Sequence, residues 1–399
     1  MAIATRQESP ALRLLSLGAG RQSTTLLLLS ALGELPKLDG AIFADTGWEP
    51  EAVYEHLDRL EREVAGPAGI PVYRVARGNL RDDLLNPDKM AMIPAYTLGP
   101  EHEVRIIDDE GGPCPRCGGT GTTDLADTDL PDTPSNRLFE LRYCPRCGGS
   151  GHIPPVSHTE NKRDLGMLKR KCTQSYKLGP IRRQTRRLLG APVSDPAPCQ
   201  YCDGTGERIA PWRAKRGETA IGTCSVCDGS GEIVRVGSPP AGEWAEQWVG
   251  FSTDEIVRVS GHTDAGYVRS RYPLIELNMS VTQCLAFLKH HGWDSVAKSA
   301  CKGCPYHGNK HWRKMRDETP GDFADAAAFD EEYRRGPGMN SERFLHISCK
   351  PLAEAPIGKA QRTDAVQVDV YDVAYEARLE EGDPDGCSPH GCRSGEAVA

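Results

Sequence analysis

The pattern C-x-x-C-x-G-x-G occurs four times, as CPRCGGTG at 114–121, CPRCGGSG at 144–151, CQYCDGTG at 199–206 and CSVCDGSG at 224–231. Two thiolates two residues apart can hold one edge of a metal tetrahedron, and two such pairs complete it. The glycines allow the tight turn that aims backbone N–H groups at the sulfurs. The first two copies are neighbours, as are the last two, so the spacing predicts two structural zinc modules. One uses Cys114, Cys117, Cys144 and Cys147, the other Cys199, Cys202, Cys224 and Cys227. A cross-braced pairing, first copy with fourth and second with third, is the alternative. The acidic stretch 123–133 (TDLADTDLPDT) falls within the first module as a solvated loop.

The total of 15 cysteines is odd, which excludes complete disulfide pairing. The first residues, MAIATRQESPALRLLSLG, lack the charged-then-apolar order of a secretory leader. No apolar run reaches the roughly 18 residues of a membrane helix. The expectation is a cytoplasmic protein with no membrane partner, in which cysteines serve metal or redox chemistry.

Before the first module the pattern alternates between strand and helix. LRLLSL at 12–17 suits a buried parallel strand, and 23–33 a helix with Ser23 or Thr24 near its start and Gly33 near its end. A second strand at 40–44 stops at Asp45. A helix at 49–65 follows, with Pro50 in its first turn and Val53, Leu57 and Leu60 on one face; a third strand covers 71–75. β-α-β-α-β of this kind implies a parallel sheet with right-handed crossovers and ligands at the carboxyl ends of its strands. The loop SLGAGRQS lies at such an end. Gly18 and Gly20 would let the backbone approach a phosphate, the next helix would offer unpaired N–H groups, Ser16 and Ser23 add hydroxyls, and Arg21 adds charge. A plain strand-to-helix turn is the simpler alternative. A nicotinamide dinucleotide site, with Asp45 on the ribose, is a weaker one.

SLGAGRQST resembles the phosphate loop of the phosphoadenosine phosphosulfate (PAPS) reductase-like branch of the PP-loop ATP pyrophosphatases. FADTGWEPEAVYEHL at 43–57 is similar to the Asp-Thr-Gly segment of that family. KCTQSYKLGPIRRQTRRLLG at 171–190, WVGFSTDEIVR at 248–258, YPLIEL at 272–277 and KSACKGCPYHGNKHWRKMRDETPGDF at 298–323 extend the resemblance. Together they look most like bacterial and bacteriophage PAPS reductase-like proteins. The resemblance implies an α/β, parallel-sheet PP-loop core (adenine nucleotide alpha hydrolase-like) interrupted by two small zinc modules. Its halves would be 10–110 and 237–350, with zinc modules at 111–155 and 196–236, a basic core segment at 156–195 and a tail at 351–399. It further implies that Ser16, Gly18, Gly20, Arg21, Gln22 and Ser23, with Asp45 and Thr46, bind an adenine nucleotide: ATP with Mg2+, or an adenylyl sulfate. The repeats resemble the zinc domain of DnaJ chaperones, but the His-Pro-Asp signature of a J-domain does not occur.

Cys284 lies in SVTQCLAFLKHHGW, an apolar-periodic helix opened by a Ser280/Gln283 capping box, and is expected in the core. Cys301 and Cys304 form a further C-x-x-C, and Cys172 stands beside Lys171. Sulfonucleotide reductases carrying a [4Fe–4S] cluster place cysteines near these positions. The resemblance therefore offers a cluster with a fourth thiolate from Cys349, Cys387 or Cys392, or one open iron. A third zinc site, with His307, competes with it. The tail DGCSPHGCRSGE keeps Cys387 and His390 at the interval of the reductases' C-terminal thiol motif but lacks its Glu and Gly.

The chain carries a net charge of −8, yet Lys162, Arg163, Lys169, Arg170, Lys171, Lys177, Arg182, Arg183, Arg186 and Arg187 cluster between the zinc modules. A solvated helix face is one account; a surface for nucleotide phosphates or a nucleic-acid backbone, tRNA or DNA, is the other. His307, Lys310 and His311 extend this positive wall. Asp254 and Glu255 suit the acidic first turn of a helix capped by Ser252 or Thr253.

These elements lead to an expected PP-loop enzyme that adenylates a nucleic acid or nucleotide for sulfur transfer. Lys177 and Arg182 would neutralise phosphate charge, and Cys172 would serve the sulfur chemistry, with the sulfur donor or thiol reductant left open. A sulfonucleotide reductase is the alternative enzyme. A non-catalytic zinc-dependent nucleic-acid-binding or chaperone-like protein is the alternative outside catalysis.

Overall fold

The computed structural model describes residues 9–89, 91–109, 112–113, 120, 122–124, 141–143, 152–153, 156–259, 265–296, 299–336 and 341–358. The chain divides into two compact units: one formed by Met1–Thr97 with Met167–Ala399, the other by Leu98–Gly166.

A five-stranded parallel sheet organises the first unit, confirming the expected α/β class with a Rossmann-like core. It begins with β1 (Leu12–Leu17), α1 (Arg21–Ala31), β2 (Gly40–Asp45), α2 (Glu51–Leu60) and β3 (Val72–Ala76). After α3 (Gly179–Leu188) come β4 (Ala245–Trp248), β5 (Val268–Arg271), α4 (Val281–His290), α5 (Asn309–Glu318) and α6 (Pro320–Arg334). The strand order is β5-β4-β1-β2-β3. Winding therefore reverses between β1 and β4, and a crevice opens at the carboxyl end of such a switch point.

Burial explains the alternation. The last four residues of β1 and nearly all of β2 are buried, as central parallel strands covered on both faces require. Leu26, Leu27, Leu57, Leu60, Trp248 and Leu288 close one core over the sheet. Each fully buried side chain of this kind contributes about 2 kcal/mol. A second core gathers Trp48, Leu80, Trp312, Phe329, Tyr333 and Leu345. Asp325 fastens its edge, accepting from Trp48 Nε1 at 2.7 Å and Arg81 Nε at 2.9 Å.

The helix expected over 49–65 is regular only to Leu60 and widens into a π turn at Glu61–Ala65 before Gly66-Pro67. A second π turn, Thr173–Leu178, precedes Gly179-Pro180. In both, the glycine N–H reaches back five residues, to Glu61 and to Gln174. Proline has no N–H to donate, and its ring crowds the carbonyl four residues back, so the preceding turn opens. The second of these turns carries Lys177.

The smaller unit, Leu98–Gly166, is wider than the 111–155 expected for the first zinc module. Within it Gly112–Pro113 pairs antiparallel with His152–Ile153, and Thr122–Asp124 with Leu141–Tyr143. Cys114, Cys117, Cys144 and Cys147 lie outside the described residues, as do Cys387, His390 and Cys392.

Candidate functional site: a glycine-loop cleft and a four-cysteine module

The loop between β1 and α1 folds its backbone onto one oxygen. Gly18 N and Gly20 N each donate to Ser23 Oγ at 3.2 Å, and that hydroxyl donates to Gly20 O at 3.2 Å. Ala19 between them is fully buried and left-handed (φ +53°), a strained setting for a residue with a Cβ. Gln247 on β4 donates to Ser16 Oγ at 3.1 Å, fixing the strand end. Just after β4, a Cβ on Gly250 would stand 3.1 Å from Ser23 N, so this glycine keeps the switch point open against the loop.

Above the loop lies a cleft of about 1110 Å³, lined by Ser16, Gly18, Gly20, Arg21, Gln22 and Ser23. Its far wall carries Lys310, His311 and Lys314 of α5, and Lys177 and Ile181 project from the side. Lys177 is buried and faces Glu49 Oε1 at 3.5 Å. Glu49 is only 2 % exposed, and its Oε2 has no hydrogen-bond partner. Arg21 Nε is likewise buried without one. An unsatisfied buried carboxylate oxygen and guanidinium nitrogen are costly, and a ligand bearing both anionic and cationic or hydroxyl groups would satisfy them.

Gln22 donates to Glu255 Oε2 at 3.1 Å, and Glu255 also pairs with Arg258. Burial holds the Glu255 carboxyl above its usual range despite that arginine. Asp254 and Glu255 do open a 3₁₀ turn, Thr253–Arg258, but Ser252 makes no side-chain cap bond. Asp254 Oδ2 instead accepts from Val281 N, tying the turn to α4. His56 also lines the cleft; burial and then Arg59 lower its pKa to about 4, while its Nε2 meets Thr24 Oγ1 at 2.9 Å.

Asp45 and Thr46, expected at the nucleotide, do not line this cleft. Asp45 Oδ1 accepts from Gly47 N at 2.7 Å and Tyr54 OH at 2.8 Å, which shapes the turn after β2. Thr46 is buried and donates to Glu49 Oε1 at 3.1 Å. It also lies 3.3 Å from Cys301 Sγ, which in turn is 3.6 Å from Glu49 Oε1. Cys172, Cys301 and Cys304, from two distant sequence segments, line one small cavity with Trp48, Arg170 and Tyr306. Glu49 thus stands between the thiol cavity and the larger cleft. His307 Nε2 meets Cys301 O at 3.0 Å, and its ring stacks on His311 at 3.8 Å. Cys349 is buried but does not line this cavity. Cys284 is fully buried inside α4 behind the expected Ser280/Gln283 capping box, and burial pushes its thiol up to about 11. It is a core residue.

Cys199, Cys202, Cys224 and Cys227 are all buried, with their sulfurs within 4.8 Å of one another. This corresponds to the adjacent pairing of the third and fourth repeats. Cys199 and Cys224 sulfurs are 4.0 Å apart, and Cys202 and Cys227 sulfurs 3.7 Å. A zinc tetrahedron with Zn–S bonds of about 2.3 Å has edges of about 3.8 Å, so the donor set fits zinc. The two repeats form paired knuckles: Cys199 N donates to Gly231 O and Cys224 N to Gly206 O. Burial pushes the Cys199 thiol above its usual range, so a metal ion taken up here would displace protons.

A chain of polar contacts runs from this module to the cleft. Asp228, beside Cys227, pairs with Lys89 at 2.9 Å, Lys89 with Asp83 at 2.6 Å, and Asp83 accepts from Tyr176 OH at 2.6 Å. Tyr176 precedes Lys177 in the π turn; burial and then Asp83 push its hydroxyl above the usual range. Asp88 binds the module as well, pairing with Arg213 and accepting from Thr223 N at 3.2 Å.

Arg182, expected beside the phosphates, is exposed on α3 and does not line the cleft. Glu49 and His56 are the site residues that the motifs did not single out. His56 had a signal: it shares the apolar face of α2 with Val53, Leu57 and Leu60. Comparison with protein families, with curated proteins and with solved structures gives no match. Among the described residues no helix is long and apolar enough to cross a membrane.

Proposed function

We propose that the chain is a PP-loop enzyme of the PAPS reductase-like kind, which binds ATP or an adenylyl nucleotide in the glycine-loop cleft and activates an acceptor for sulfur transfer. The observation that carries this is the convergence of the Gly18 and Gly20 amides on a single oxygen, Ser23 Oγ, at the floor of the cleft. A phosphate oxygen suits the same pair of donors, placed at a helix N-terminus and a topological switch point.

Arg21 and Lys177 would neutralise charge that develops on the phosphates. Glu49 Oε2, a hard unsatisfied oxygen donor, fits Mg2+ accompanying ATP. The acceptor oxygen attacks the α-phosphorus, and pyrophosphate leaves with the electrons of the broken bond. A sulfur nucleophile then displaces AMP from the adenylated acceptor. Cys172, Cys301 and Cys304 would hold a metal centre or carry sulfur on the other side of Glu49, and zinc would be structural.

The test is pyrophosphate release from ATP with and without tRNA or DNA, alongside equilibrium ATP binding. Arg21→Gln and Ser23→Ala are each expected to weaken ATP binding by at least about tenfold, a loss of about 1.4 kcal/mol. If the protein neither binds ATP nor releases pyrophosphate, the non-catalytic zinc-dependent account takes its place. The three-thiol cavity beside the cleft favours a second reading, sulfonucleotide reduction, in which a thiol attacks the sulfur of an adenylyl sulfate. Sulfite release from adenylyl sulfate, with a dithiol as reductant and no need for ATP, would select it.

A further inference from the structure

About half of the arginines in the described structure face a carboxylate. Arg59, Arg74, Arg81, Arg213, Arg271 and Arg334 are all in ion pairs. Arg77, Arg183 and Arg187 are exposed, and none of them forms an ion pair among the described residues, although Arg77 lies 5.5 Å from the Tyr176 ring. They are also neighbours. Though Arg183 is exposed as a residue, desolvation of its guanidinium among its neighbours lowers its pKa, and repulsion from Arg187, Arg77 and Arg186 lowers it further. In a chain with 56 acidic and 48 basic residues, such a cluster does not follow from overall charge.

Its position ties it to the cleft. Arg77 directly follows β3, at the carboxyl edge where the glycine loop also lies. Arg183 and Arg187 project from α3, outside the cleft, on a different side of the helix from Ile181, which lines it. From Lys177 to Arg187 the rise is about 15 Å, enough for a few phosphates. Arg186 donates to Val236 O at 3.0 Å, which anchors the helix against the segment that follows the four-cysteine module. The arginine face is therefore presented on a fixed element.

We propose that Arg77, Arg183 and Arg187 bind the backbone of a single-stranded nucleic acid and lead one of its nucleotides into the cleft. Guanidinium groups without carboxylate partners are suited to phosphate oxygens, which they bind through paired N–H donors. The cleft has room for a nucleotide but not for a duplex, so the nucleotide that enters must be unpaired, as it already is in a single strand. This proposal supplies the acceptor class for the activation reaction and rests on that reading only for its last step.

The experiment is fluorescence anisotropy of a labelled 20-nucleotide oligothymidylate, titrated with the full-length protein over a series of NaCl concentrations. The slope of log K against log [NaCl] is expected to flatten by about 2 in the Arg77→Gln/Arg183→Gln/Arg187→Gln variant, since each phosphate neutralised on a single strand adds about 0.7 to the slope. The triple Arg→Lys variant should keep most of the slope, and ATP binding should be the same in all three proteins. An unchanged slope in the Gln variant overturns the proposal. So does equal competition by polyglutamate of matched charge, which would point to an acidic protein partner instead. Failure of the nucleotide reading leaves a different signature, loss of ATP binding with the salt slope intact.

Discussion

At His56 and His346 the protein holds two imidazoles neutral by enclosing them. Burial is the leading cause at both, and each pKa falls to about 4 from an ordinary value of about 6.5. His56 sits edge-on against Trp293 and bonds Thr24; His346 bridges Asn309 and Ser348 at 2.8 Å each. The unfolded chain therefore binds more protons than the folded one between pH 6.5 and 4. The stabilisation is complete above pH 6.5 and is lost as pH falls through that window, by about 1.4 kcal/mol per pH unit for each histidine. Urea midpoints between pH 7 and 5 should show this slope, and a His56→Gln/His346→Gln variant should flatten it. An equal slope in the variant would refute the assignment. Residue by residue, legibility in the sequence was uneven. The glycine loop was readable because its residue types and spacing serve a backbone geometry. Glu49 was not, because its significance comes from Lys177 and Cys301, which only tertiary folding brings to it.

Elements whose sequence states both a period and a boundary were legible. β1 matches its expected limits at 12–17, and α4 begins at the capping box of Ser280 and Gln283. The two π turns were not legible as such, since Gly-Pro announces an interruption without saying that the preceding turn will widen. The knuckles of the four-cysteine module lie at the readable extreme, because the repeat dictates their backbone. Gly206 and Gly231 are left-handed (φ +79° and +74°), and a Cβ on either would collide with the backbone of the facing knuckle, at Gly229 or Gly204. Gly206→Ala is accordingly expected to lower zinc content to less than half of the wild-type value for the Cys199, Cys202, Cys224, Cys227 site, measured by elemental analysis after dialysis. Gly217→Ala serves as the control: the glycine is also left-handed, but nothing lies near its Cβ position, so zinc should be retained. Equal zinc in both variants would mean that the facing backbones yield, and that the glycines are not what closes the site.

Across the whole molecule, the order of the sheet places the glycine loop and Gly250 at one switch point, and a path of side chains links the four-cysteine module to that place. Asp228, Lys89, Asp83 and Tyr176 form an unbroken path, and Asp83 and Tyr176 are 6 % and 3 % exposed. Buried polar groups in such a path hold one another in a single arrangement, so displacing the module should disturb the π turn that carries Lys177. Removing zinc with a chelator is then expected to weaken ATP binding about fivefold or more, a coupling of about 1 kcal/mol. By the same linkage, saturating ATP should tighten the protein's hold on zinc against the chelator by an equal factor. Lys89→Met cuts the path while keeping the length of the side chain. In that variant zinc should still bind, but ATP affinity should no longer depend on it. Calorimetric titration of ATP into metal-loaded and metal-free protein, wild type and Lys89→Met, measures all four corners of this cycle. Equal coupling in the two proteins would place the link elsewhere, in the Asp88 contacts to Arg213 and Thr223. No coupling in either would make the module an independent graft on the parallel-sheet core.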